Sequence, residues 1–209
     1  MIHFDLAPKP AGFAEDAEQP GALWLTAHPD PKERPKDYWS PFKPQLSDAF
    51  HGLCAYSAMY EPVGTVDHFV SCDEDRTRAY DWGNYRFASG WINSSKQALI
   101  SSKILDPFEV QDSWFEILLP SLQLEITNEV PRSKLKQAKF VLTRLHLRDD
   151  ERVLRQRREW YRMYQDGELT LEGLRKKAPL IARAVERQPS KSKPRMPPTR
   201  TRSPKRRPR

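Results

Sequence analysis

At 209 residues the chain has room for one globular domain with appendages. Its 38% hydrophobic and 30% charged residues, with six Trp, seven Tyr and nine Phe, exclude a wholly disordered polymer. The formal charge of +7 sits in residues 190–209, which hold nine Lys and Arg and no acid and leave 26 basic against 28 acidic residues elsewhere, a charge of −2. Two cysteines, Cys54 and Cys72, exclude a disulfide-stapled scaffold and an all-cysteine zinc site. The sequence has no apolar stretch of the roughly 20 residues that a membrane span needs, so a cytoplasmic protein without membrane partners is expected.

Residues 1–45 contain eight prolines, which predicts an extended arm without long regular elements. Trp24, Tyr38, Trp39 and Phe42 predict that this arm packs on the body, although residues 7–22 read equally well as a loosely structured leader. A short amphipathic helix is expected over 45–58, from the spacing of Leu46, Ala49, Phe50 and Leu53. Val63 to Phe69 is β-branched and reads as a strand, followed by an acidic loop and a segment, 82–87, that is extended or looped. Asn93 to Ser102 reads as a helix starting at Asn93 or Ser94. Alternation in residues 104–130 predicts a small sheet, and three helical patterns follow at 133–147, 149–165 and 170–187, the last interrupted or kinked by Pro179. These patterns divide the chain into an arm (1–45), a core (46–130), a helical lobe (131–188) and a disordered basic tail (189–209).

Chemistry-bearing residues concentrate between Asp67 and Lys96. Phosphodiester hydrolysis needs an activated water, compensation of developing charge and rigid placement of both. His68 has the side chain that titrates near neutrality and is the candidate base. Asn93 offers a hard carbonyl oxygen suited to Mg²⁺ or Mn²⁺, whereas Asp67 projects from the opposite side of an extended strand and reaches the same ion only if the strand bends.

The order VDHF, WGNYR, INSSK resembles the HNH endonucleases, in which a hairpin and a helix form a ββα-metal motif. The resemblance covers residues 50–103 and implies an α+β fold, with an HNH core carrying a small sheet and a helical C-terminal lobe. It implies that His68 is the general base, that Asp67 and Asn93 hold one Mg²⁺ or Mn²⁺, and that Asn84 steadies the loop and the imidazole. It also implies that Lys96 contacts phosphate, while Arg86 and the tail residues Lys205, Arg206 and Arg207 are further candidate nucleic-acid contacts. Many such nucleases carry a zinc knuckle; here Cys54, Ser57, Ser89 and Ile92 occupy its positions, so no structural zinc is expected and aromatic packing must brace the motif.

The run LHLRDDERVLRQRREWY is loosely similar to the helical segment of HNH proteins from bacterial anti-phage systems, Septu-type and retron-associated nucleases among them. That likeness implies a defence role with an ATPase or another defence-system subunit as partner. One centre cuts one strand, so double-strand cleavage of DNA requires a homodimer or successive nicks. Two other functions remain open on the sequence: a catalytically inactive HNH-fold subunit for nucleic-acid binding or assembly, and an enzyme acting on RNA or a small phosphodiester.

Overall fold

Proline stops a helix in its interior but is tolerated in the first turn, where its missing N–H would be unpaired in any case. That distinction corrects the expected arm. In the computed structural model, which describes residues 1–188, a π-helical turn at Ala14–Glu18 runs into helix α1, Gln19–Ala27, with Pro20 in its first turn. Phe13 anchors this segment edge-on to Phe42, Trp82 and Tyr85, at ring separations of 5.0, 5.2 and 5.9 Å. Residues 28–38 then cross the surface as an irregular strap and enter α2, Lys43–Ala49. The helix expected over 45–58 ends at Ala49, because His51 and Gly52 both take positive φ, 55° and 67°.

Strand β1, Thr65–His68, pairs antiparallel with β2, Tyr85–Ala88, in a register that sets Thr65 opposite Ala88 and His68 opposite Tyr85. Gly64 turns the chain into β1 at φ 48°, and a Cβ there would stand 2.1 Å from the Phe87 ring, so only glycine fits. Helix α3, Gly90–Lys96, follows at once. It begins three residues before the predicted start, since Ser89 takes the extended cap conformation, and it stops at Gln97, whose φ is 49°. Asn93 is therefore a mid-helix residue rather than a cap.

The small sheet expected in 104–130 is a second hairpin, β3 (Phe115–Leu118) with β4 (Gln123–Ile126). The helical lobe comprises α4 (Arg132–Arg144), α5 (Glu151–Gln165), α6 (Leu171–Lys177) and α7 (Pro179–Glu186). Pro179 splits the last pattern in two, and Ala178 before it takes φ −153° and ψ 70°, outside the helical region that a following proline disfavours. The described residues thus make a mixed α+β protein of seven α-helices and two two-stranded antiparallel sheets. One cluster of buried apolar residues runs from Met1 to Ala182 and joins the arm, the hairpins and the helices. Among the described residues no helix is long and apolar enough to cross a membrane.

Arg157 departs from the solvated helix face that its neighbours suggest. It is 1% exposed and donates to the carbonyls of Leu122, Leu147 and Arg148 at 3.0, 2.6 and 2.8 Å. Burial lowers its pKa to about 10, which still leaves it charged at neutral pH. The guanidinium ties α5 to the end of β-hairpin β3–β4 and to the α4–α5 connection. Arg157→Leu removes the donor from the Leu122 and Leu147 carbonyls, the Arg148 carbonyl keeping the Leu124 N–H, and is expected to cost about 3 kcal/mol, read as a lower midpoint in urea unfolding with an unchanged slope.

Candidate functional site

The site is assembled from four pieces of backbone. β1 supplies Val66, Asp67 and His68; α3 and its end supply Asn93, Gln97 and Ala98; the loop after β1 supplies Ser71, Cys72, Asp73 and Arg76; the strap supplies Pro31 to Pro35. Together with Trp39 they line one cavity of about 460 Å³. Asp67, His68 and Asn93 therefore all border this cavity.

His68 is held by a chain of backbone bonds. Its Nε2 lies 2.8 Å from the Ala79 carbonyl. A carbonyl only accepts, so in the neutral ring Nε2 carries the proton and Nδ1 keeps the lone pair. Trp39 and Tyr85 pack edge-on to the imidazole at 4.7 and 5.1 Å, and the Tyr85 hydroxyl donates to the same Ala79 carbonyl. Burial lowers the His68 pKa below its ordinary value, only partly opposed by the Ala79 bond and the Asp67 charge.

Asn84 holds the loop that presents Ala79. Its Oδ1 accepts from the Val70 N–H at 2.8 Å, and its Nδ2 donates to the carbonyls of Val70 and Arg78 at 2.9 and 3.1 Å. The side chain is buried and touches the imidazole only through the backbone at 78–79. Asn93 donates from Nδ2 to Thr65 Oγ1 and to the Val66 carbonyl, at 3.1 and 3.3 Å, which turns its own carbonyl oxygen away from β1.

Two expected nucleic-acid contacts are corrected by burial. Lys96 is fully buried, and its ammonium donates to Asp67 Oδ1 at 3.0 Å and to the His68 carbonyl at 2.7 Å. Arg86 is 2% exposed, clamps Asp106 through two bonds of 2.9 and 2.7 Å, and lies over the Phe108 ring at 3.6 Å. Both cations tie the hairpin to the elements around it. Lys205, Arg206 and Arg207 lie outside the described residues.

The donor set does not fit the divalent ion that the resemblance implies. Asp67 Oδ1 faces the Lys96 ammonium and Oδ2 accepts from the Tyr56 hydroxyl at 2.6 Å, so the carboxylate is neutralised and hydrogen-bonded within the protein. Asn93 then offers a single neutral oxygen, and no group of three His, Cys, Asp or Glu among the described residues could hold a metal. At the four zinc-knuckle positions, Cys54, Ser57, Ser89 and Ile92 are all buried, and the Ser89 N–H lies 3.4 Å from the Cys54 sulfur.

The strap and Trp39 were not singled out as site residues from the sequence. The one local signal was the charged run KERPK between prolines; what brings it to His68 is Arg76, whose amino groups donate to the carbonyls of His28 and Glu33 at 2.6 and 2.8 Å. No protein-family model matches the chain, and no curated protein matches it in sequence.

Asp67→Asn strands the Lys96 ammonium in the interior and is expected to cost about 3–5 kcal/mol in thermal or urea unfolding. Adding Lys96→Met should recover part of that loss. A double variant no more stable than Asp67→Asn would mean that the pair is not coupled.

Proposed function

We propose that the chain hydrolyses phosphodiester bonds in nucleic acid, with His68 as general base. The observation that carries this reading is the fixed imidazole: Nε2 is bonded to the Ala79 carbonyl, and Nδ1 remains an acceptor in a ring that borders the cavity. In the reaction, water gives one proton to Nδ1 as its oxygen bonds to phosphorus. The bond from phosphorus to the leaving oxygen breaks, and the leaving alkoxide takes a proton from solvent or from the imidazolium. Asn93, which borders the same cavity, can orient the attacking water through its carbonyl oxygen, its amide being spent on Thr65 and Val66. DNA is the substrate that the HNH likeness of the motif order implies.

His68→Ala is expected to lower plasmid cleavage about 10²–10⁴-fold without unfolding the protein. Equal cutting by both proteins overturns the reading. Because the base must be neutral and burial depresses its pKa, the wild-type rate should stay level through neutral pH and fall only below 6.5, the ordinary imidazole value. Stability follows the same sign: below 6.5 the unfolded chain takes up a proton that folded His68 resists, so unfolding becomes easier as the pH drops through that window. A bell centred above 8 would point to another base.

The neutralised Asp67 favours one second reading, an HNH-like subunit that binds nucleic acid or assembles with a partner and performs no hydrolysis. It predicts salt-sensitive DNA binding that His68→Ala leaves intact, in a protein with no cleavage activity of its own.

A further inference from the structure

If the cavity handles a phosphodiester, something must take the place of the metal in compensating its charge, and the charged groups around it narrow the choice. Asp67 is spent on Lys96 and Tyr56. Arg76 spends both amino groups on strap carbonyls and stacks on Trp24 at 5.3 Å. Glu33 lies 4.0 Å from His28. Arg34 and Lys32 differ from all of these: both border the cavity, are exposed, and make no side-chain hydrogen bond or ion pair among the described residues, and of the two Arg34 stands next to the anchored Glu33 carbonyl and is the one that offers a planar fork. The strap that carries it is fastened on either side, by Arg76 at His28 and Glu33 and by the Tyr80 hydroxyl on the Lys36 carbonyl at 2.8 Å. The Trp24 and His28 rings stack at 4.2 Å and stiffen the first anchor. Pro31 and Pro35 flank the tip, so the backbone delivering Arg34 has few conformations to lose. Its charge reaches both the His68 imidazole and the Cys72 thiol.

We propose that Arg34 is the phosphate-binding residue of this cavity, and that its guanidinium, rather than a divalent cation, offsets the charge of the phosphodiester during hydrolysis. A guanidinium fork matches two non-bridging phosphate oxygens and stays ionised at every working pH. This extends the hydrolytic reading above and names Arg34 as a catalytic residue, one that touches substrate. Asp73, exposed at the same cavity, opposes the attraction but has no shielding from solvent.

The test uses the full chain with inorganic phosphate and bis(p-nitrophenyl) phosphate as probes, comparing wild type, Arg34→Gln, Arg34→Lys and His68→Ala. In wild type, phosphate should shift the His68 imidazole NMR signals, a local readout that binding to the basic tail cannot imitate. Arg34→Gln should weaken that binding about tenfold or more, with Arg34→Lys between the two. All variants at position 34 should unfold at the wild-type temperature, since the side chain makes no internal bond. Hydrolysis of the diester should persist in EDTA, with kcat/KM falling in Arg34→Gln. Wild-type phosphate affinity in Arg34→Gln overturns the assignment, and loss of wild-type cleavage in EDTA with recovery in Mg²⁺ overturns the metal-free claim. If no protein cleaves the diester while phosphate binding still depends on Arg34, the hydrolytic reading fails and the phosphate site stands; His68→Ala, binding phosphate normally by the Arg34 guanidinium NMR signals but inert, supports both.

Discussion

A buried ammonium is the interaction on which the central hairpin and its helix depend. A two-stranded hairpin is marginal by itself in water, and seven residues of helix are shorter than an isolated helix can sustain. Lys96, the last residue of α3, joins them by donating to a side chain and a carbonyl at the end of β1, Asp67 and His68. The Tyr56 hydroxyl completes the carboxylate's shell, and its own ionisation is pushed well above the usual range by burial and by Asp67. An ion pair withdrawn from solvent adds little net stability over an apolar pair of the same shape, because desolvation offsets the attraction. Its effect is on geometry: it admits one register between helix and strand, and that register is what brings Asn93 beside His68.

The rest of the site is held by backbone rather than by charge. Asn84 satisfies donors and acceptors on both limbs of the loop between the strands, and the Ala79 carbonyl then accepts from both His68 and Tyr85. Aromatic rings fill the space around that point: Trp39, Tyr80, Trp82 and Tyr85 are all buried. The C-terminal helices contribute from outside, through Arg152 over the Trp91 ring at 4.2 Å, through Gln156 donating to the Tyr60 carbonyl and through the Lys177 carbonyl accepting from the Tyr60 N–H. The functional segment is thus one part of a continuous interior.

Local signals in the sequence were enough for the elements and insufficient for the partners. β-branched residues in VGTVDHF marked β1, alternation in LQLEI marked β4, and Pro179 marked the break between α6 and α7. The run NSSK looked like a helix start because Asn and Ser cap helices well, yet Ser89 four residues earlier already took that position. Lys96 and Arg86 are expected from the sequence to reach nucleic acid, and Arg157 shares a charged helix with arginines that face solvent, since cations are seldom fully buried unless paired. Each is buried because its partners, Asp67, Asp106 or three carbonyls, come from sequence-distant segments or from a turn that no periodicity announces. The convergence of Asp67, His68 and Asn93 followed from the motif order; the strap did not, because Arg76 reaches His28 across 48 positions of chain.

The strap's three anchors make it a ruler. Between His28 and Lys36 the backbone is fixed at both ends and once in between, at Glu33. A residue spans at most about 3.6 Å of extended chain, so adding or deleting one between the anchors would shift the tip by up to about that distance and move Arg34 relative to His68. Length in this segment should accordingly be held more tightly than composition as the sequence diverges. The segment that looked most like a connector is then the one in which an insertion displaces Arg34 as surely as a substitution removes it.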